Sequence, residues 1–213
     1  MIVSAKQPTD CMTFCDVMRL FRADLIRRFE LKERRMTPLS LLQAFLSPGV
    51  LGVLLFRVGN WLHAKDYRIA FRLIERFIFL ITRAELQTGA RIGPGLVLPD
   101  EGTVGISSHS RLGLNCTLFA LSTIVAKEGG ADDIVIGDYC VIGRRARLYG
   151  AIELGDGTQV KDNSMVFSSV VHPGMILCGV PAHCTLQVPL ELVRNWNPLK
   201  GKPLRAASTP RTL

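Results

Sequence analysis

The sequence predicts an α+β protein in which an N-terminal α-helical domain feeds a parallel β-helix of six-residue repeats. Three observations carry this expectation. Large aliphatics recur every six residues at Leu86, Ile92 and Leu98, at Ile106, Leu112, Leu118 and Ile124, and at Ile136, Ile142, Leu148, Leu154, Val160 and Val166. A mostly small side chain follows four positions later (Ala90, Ser110, Cys116, Ser122, Cys140, Ala146, Thr158, Ser164), and glycine often comes directly after the aliphatic (Gly93, Gly113, Gly137, Gly143, Gly155). Upstream, apolar residues keep helical spacing instead.

The N-terminal segment 1–15 is expected to be flexible. Residues 16–84 form the helical domain: Met18, Phe21, Leu25, Ile26 and Phe29 repeat at helical spacing, as do Ile69, Leu73, Ile74, Phe77 and Ile81. Breaks are expected near Thr37-Pro38, Pro48-Gly49 and His63–Asp66. The run Leu39–Phe56 is eighteen residues without a charge, nominally a membrane-spanning length. Pro48-Gly49 interrupts it and Arg57 follows at once, so two short buried helices are expected rather than a span.

A six-residue period is neither helical nor the two-residue alternation of an ordinary strand. It fits 85–182 as stacked coils of three short strands each, with aliphatics pointing to the axis and small residues beside them. Glycine is expected to supply the corner conformation. Cys116 and Cys140 thereby become small core residues. The phase slips by two residues between Leu98 and Ile106, at Pro99–Thr103, and breaks again across Val125–Val135. Loops that interrupt a rigid scaffold are where sites are built. Gly179-Val180-Pro181-Ala182 closes the last coil. In the tail, 183–213, a short helix is expected over Pro189–Trp196 and disorder over Gly201–Leu213.

Composition narrows the function. With 48% apolar and 21% charged residues among 213, the chain is not disordered. A mean hydropathy of +0.25 points to apolar surface facing a membrane or another subunit. Twenty-six basic residues against eighteen acidic give a net charge of +8, favouring anionic partners. The basic clusters, Arg19–Arg35 and from Arg194 onward, are not interleaved with aromatics, which argues against nucleic acid. A peripheral contact of the Arg19–Arg35 segment and the apolar helices with anionic lipid stays open. Six cysteines without a secretory leader read as reduced thiols of a cytoplasmic protein. Cys11 and Cys15 lack a second ligand pair, so no metal is expected.

Residues 20–182 resemble the serine O-acetyltransferase family. The likeness rests on Pro48-Gly49-Val50 with Arg57-Val58-Gly59-Asn60-Trp61-Leu62, on the coil entry Thr82–Gly95, on Leu148-Tyr149-Gly150-Ala151-Ile152, and on the terminal Gly179-Val180-Pro181-Ala182. It implies a left-handed β-helix, a homotrimer or dimer of trimers, and acetyl-CoA-dependent transfer to a small-molecule acceptor. The family's two histidines, which sit at the cleft between subunits, are replaced. Leu98-Pro99-Asp100 stands for one segment and Ala131-Asp132-Asp133 for the other. Either Asp100 and Asp133 form a carboxylate pair with a raised pKa, or they are two solvated loop acids. His109, expected to face outward, is the remaining candidate base.

The resemblance assigns Gly143, Arg144, Gly179 and Val180 to the cofactor groove. Arg144 is placed either to pair with a phosphate or to fill the pantetheine slot, while Asp162 would repel phosphate. The segment that helps hold the amino acid in the family reads Lys32-Glu33-Arg34-Arg35-Met36 here, against free serine as the acceptor. Two functions follow: an acyltransferase acting on another hydroxyl or amine, or a catalytically inactive β-helix serving as a scaffold or regulatory subunit.

Overall fold

Capping, proline placement and helical periodicity fix the N-terminal half. In the computed structural model, which describes residues 13–33, 37–126 and 134–204, it forms α1 (Phe14–Lys32), α2 (Pro38–Phe45), α3 (Pro48–Ala64) and α4 (Arg68–Thr82). Thr13 and Thr37 close capping boxes with Asp16 and Ser40, and Pro38 and Pro48 open their helices where a missing N–H costs nothing. The expected break at Pro48 is present, with α2 and α3 bent by 72°. One expectation fails: α2 buries none of its residues, since it meets the rest of the molecule along one edge, with Ala44 partly buried on the core and the Phe45 ring 5.9 Å from that of Phe21.

Among the described residues, thirteen strands then wind the coil. They are β1 (Glu85–Leu86), β2 (Arg91–Ile92), β3 (Gly105–Ile106), β4 (Ser110–Leu112), β5 (Thr117–Leu118), β6 (Thr123–Val125), β7 (Ile134–Ile136), β8 (Val141–Ile142), β9 (Arg147–Tyr149), β10 (Glu153–Leu154), β11 (Gln159–Val160), β12 (Met165–Val166) and β13 (Met175–Cys178). They stack in parallel as three faces of a left-handed prism of about four turns. Face A orders β1-β3-β6-β9-β12, face B β2-β4-β7-β10, and face C β5-β8-β11-β13.

The six-residue aliphatics become vertical columns. Ile106, Ile124, Leu148 and Val166 are in register on face A, Ile92, Leu112, Ile136 and Leu154 on face B, and Leu118, Ile142, Val160 and Leu177 on face C. All are buried, as are the small residues beside them. Each aliphatic so enclosed contributes about 1.5–3 kcal/mol of transfer free energy.

The glycines after the aliphatics have a different role from the one expected. They do not hold the left-handed conformation; that falls two residues later, at Asn115, Leu121, Tyr139, Arg145 and Asn163, with φ between 53° and 65°. The glycines permit close stacking of coils. A Cβ on Gly143 would sit 2.6 Å from Asp162 Oδ1, and one on Gly93 would sit 2.6 Å from Gly113 O.

A buried polar clamp docks the helices on the first coil. Arg57 on α3 makes a two-pronged pair with Asp24 on α1 (3.0 and 3.1 Å) and donates to Ile92 O at 2.6 Å and Gly93 O at 2.7 Å. Asp24 Oδ1 accepts from the amides of Gly95 and Leu96. Asn60 adds reciprocal bonds to Ala90 O and Gly89 N.

The tail is more ordered than expected. After β14 (His183–Gln187), antiparallel to β13, come α5 (Leu190–Arg194) and a hairpin of β15 (Trp196–Asn197) and β16 (Lys202–Pro203). Residues Gly201–Leu204, expected to be disordered, belong to this hairpin and its flank. Buried Asn197 donates to Leu31 O at 2.7 Å, and Glu33 pairs with Lys200 and Lys202, so the tail returns to the end of α1.

Candidate functional site

The corner from face C to face A carries the site. Here the turns after β5, β8 and β11 lie one above another: Leu121 N donates to Thr103 O at 2.6 Å, Arg145 N to Ala120 O at 3.1 Å, and Asn163 N to Arg144 O at 2.8 Å. Asp162 Oδ1 accepts from Arg144 N at 2.7 Å. This carboxylate therefore fastens one turn to the next, which is its structural reason for being there.

Beside this edge runs a groove of about 500 Å³, within the size range of small-molecule sites. Phe119, Val141, Gly143, Arg144, Gln159, Val160, Lys161 and Asp162 line it from the coil, and Trp196, Pro198 and Gly201 line it from the tail hairpin. Arg144 and Lys161 are exposed on its rim. Of the residues assigned to a cofactor, Gly143 and Arg144 line the groove. Gly179 and Val180 do not. They lie in the turn after β13, where Gly179 N donates to Ser164 Oγ at 3.2 Å and its carbonyl accepts from Met165 N.

Asp100 matches neither alternative, being neither a carboxyl of raised pKa nor a solvated loop acid. The two-residue insertion swings it toward the helices, where it accepts from Arg28, Ser47 and, at 2.7 Å, Lys32. Arg28 also donates to Leu98 O at 2.8 Å. Partial burial pushes the carboxyl up, but the bonds from Lys32 and Ser47 and the charges of Arg28 and Lys32 outweigh it, leaving the pKa below the usual range. An acid held ionised by two cations is a poor proton acceptor, so Asp100 acts as an anchor for α1.

His109 is exposed, as expected, but sits on another edge, in the turn from face A to face B. Its carbonyl accepts from Ile134 N at 3.0 Å, which places it beside the return of the second interruption. Asp133 lies outside the described residues, as do Asp132 and Arg34–Met36. The flanking Ala126 and Ile134 leave that interruption between face A and face B, not at the corner holding Asp100. Cys116 and Cys140 are buried, and burial pushes the Cys116 thiol up to about 12 and raises Cys140 strongly as well, so neither is a nucleophile.

Lys161 belongs to the Val160–Ser164 segment that the resemblance places in the groove, whereas Phe119, Gln159 and Trp196 are not assigned to it by the sequence. Only the last leaves a trace in the sequence: an aromatic in a tail that is otherwise basic and proline-rich.

No family model matches the chain. Similarity to individual proteins is clear. It is 27% identical over 146 residues to the serine acetyltransferase of Mycobacterium tuberculosis, covering 68% of this chain and 63% of that protein. It is 28% identical over 127 residues to the Helicobacter pylori serine acetyltransferase, covering 59% and 74%. Among solved structures, serine acetyltransferase from Brucella abortus superposes with a TM-score of 0.72 at 20% identity, over 83% of this chain and 72% of that one. The Neisseria gonorrhoeae enzyme gives the same score at 23% identity, over 82% and 68%. The chain is similar to serine acetyltransferases and shares their fold. Its match spans 63% of the Mycobacterium relative, less than two thirds of that protein's length. A further structural neighbour, with a TM-score of 0.70 and 19% identity, is a Brucella serine acetyltransferase in complex with coenzyme A.

Proposed function

We propose that this chain is an acyltransferase that takes an acyl group from acetyl-CoA and delivers it to a hydroxyl or amine of a small-molecule acceptor other than free serine. The observation that carries the acceptor reading is the state of the nearby carboxylates. Asp100 is neutralised by Arg28 and Lys32, and Glu33 by Lys200 and Lys202. Neither is available to an amino acid's ammonium.

The groove supports the donor. Its volume, the rim cations Arg144 and Lys161, and the apolar surfaces of Phe119, Val141 and Trp196 suit a phosphate-bearing cofactor with a slender arm. Acetyl-CoA supplies an activated thioester carbonyl. Arg144 and Lys161 bind its anionic end, and the tail hairpin shields the arm from water. His109 is the proton acceptor in this reading, taking the acceptor's proton as its oxygen or nitrogen bonds to the carbonyl carbon and the thiolate leaves. Within one chain His109 and the groove lie on different edges, which is the reason for proposing a homotrimer, alone or paired, in which the edge of one copy meets the groove of the next. The reduced thiols Cys15, Cys178 and Cys184 accord with a cytoplasmic location.

A second reading is favoured by one observation. Asp100 stands where the resemblance puts a base and serves as a structural anchor, as a catalytically inactive scaffold would permit. Thiol release from acetyl-CoA across a panel of alcohols and amines separates the two. The enzyme reading predicts turnover with at least one acceptor, little with serine, and a loss of about 10²–10⁴-fold in His109→Ala. Efficient acetylation of serine would refute the acceptor assignment. Silence across the panel despite coenzyme A binding would favour the scaffold.

A further inference from the structure

Helix α4 turns its apolar stripe away from the protein. Ile78 is its one buried residue, whereas Ile69, Leu73, Phe77 and Leu80 are 79%, 57%, 57% and 77% exposed. At 100° per residue these four fall in one sector running the length of the helix. Arg68, Arg72 and Arg76 recur every four residues in the sector beside it. Arg68 pairs with Asp66, but among the described residues Arg72 and Arg76 have no ion-pair partner. The helix's single acid, Glu75, is turned inward, accepting from Thr88 N and Oγ1 at 2.7 Å.

Helix α2 adds a second patch. Leu39, Leu42, Phe45 and Leu46 are exposed, and no charged residue occurs in Pro38–Phe45. The C-terminal end of α4 rests on the start of α3, where a Cβ on Gly52 would lie 3.1 Å from Thr82 Cγ2. Because α2 leads directly into that end of α3, the α2 patch lies near the end of α3 at which α4 finishes.

We propose that the exposed face of α4 binds an anionic lipid bilayer, with the helix lying in the headgroup region, its apolar stripe in the acyl boundary and its arginine row on the phosphates. Charge selects this occupant. A stripe bordered by unpaired arginines, on a chain of net charge +8, complements a negative surface. An antiparallel two-fold pairing of the same face would set one arginine row against the other. The contact is with the surface and not a span: among the described residues no single helix is long and apolar enough to cross, and Arg57 holds α3 to the first coil.

The test is co-sedimentation of the full chain with phosphatidylglycerol–phosphatidylcholine vesicles. Binding is expected, weakened roughly tenfold or more by phosphatidylcholine alone or by molar salt, where the screening length shrinks to about 3 Å. Arg72→Glu with Arg76→Glu, and separately Leu73→Gln with Phe77→Gln, should each cause a comparable loss at unchanged circular dichroism. If a double variant loses its fold, an environment-sensitive fluorophore on Ile69→Cys gives a second reading, since its emission should shift to the blue only on acidic vesicles. Failure to pellet, or equal pelleting of the variants, overturns the proposal. So does a change of assembly size in the variants without vesicles, which would make the face an interface between copies.

Discussion

At the scale of single residues, ion pairs that join the helices to one another and to the coil carry much of the structural work. Asp100 is the clearest case. Its folded pKa lies below the ordinary carboxylate value, so between the two values the unfolded chain binds more protons than the folded one. Stability is therefore gained as pH rises through that window and lost as pH falls below about 4. Melting temperatures from pH 6 to pH 3 should fall more steeply for the wild type than for Asp100→Asn, which lacks the titrating group; parallel curves would show that the anchor contributes nothing. Arg57 makes a stronger demand. Arg57→Ala leaves Asp24 buried and unpaired, and should cost about 3–5 kcal/mol in chemical denaturation. Neither role was legible in the sequence, because each depends on contacts between residues some 35 to 70 positions apart.

Among the elements, the coil was the most legible part and the tail the least. Each hexapeptide repeats the same local requirement, an inward aliphatic with a small neighbour, so the pattern announces itself without knowledge of long-range contacts. Even the two-residue slip between Leu98 and Ile106 appears as the longer spacing from Ile92 to Leu112 on face B. Ile142→Ala, in the middle of the face C column, should destabilise by about 2–5 kcal/mol, measured by denaturant midpoint. What the repeat did not reveal is which corner residue bends the chain. Leu121, Tyr139 and Arg145 adopt left-handed φ although no side-chain preference marks them. The hairpin β15–β16 stayed hidden because its partners, Leu31 and Glu33, are far away in sequence. Asn197→Leu should loosen that hairpin and raise the Kd for coenzyme A, while leaving the coil's melting transition within about 1 kcal/mol of wild type.

For the whole molecule, the helical platform and the coil divide the work. The platform locks onto the first coil through the Arg57–Asp24 clamp and presents an apolar, arginine-bordered side, while the coil and tail enclose a groove. The likeness to serine acetyltransferases covers both parts, and in this chain the carboxylates of Asp100 and Glu33 are each held by two cations. The proposed acyl transfer requires the groove to be a coenzyme site. The most direct measurement is calorimetric titration of the purified full chain with coenzyme A, beside the Arg144→Glu, Lys161→Glu double variant. The account predicts binding at micromolar concentrations in the wild type, weakened roughly tenfold or more in the variant, as expected when two cations facing phosphates are reversed. No heat from an intact, correctly assembled protein, or equal binding by the variant, would contradict it.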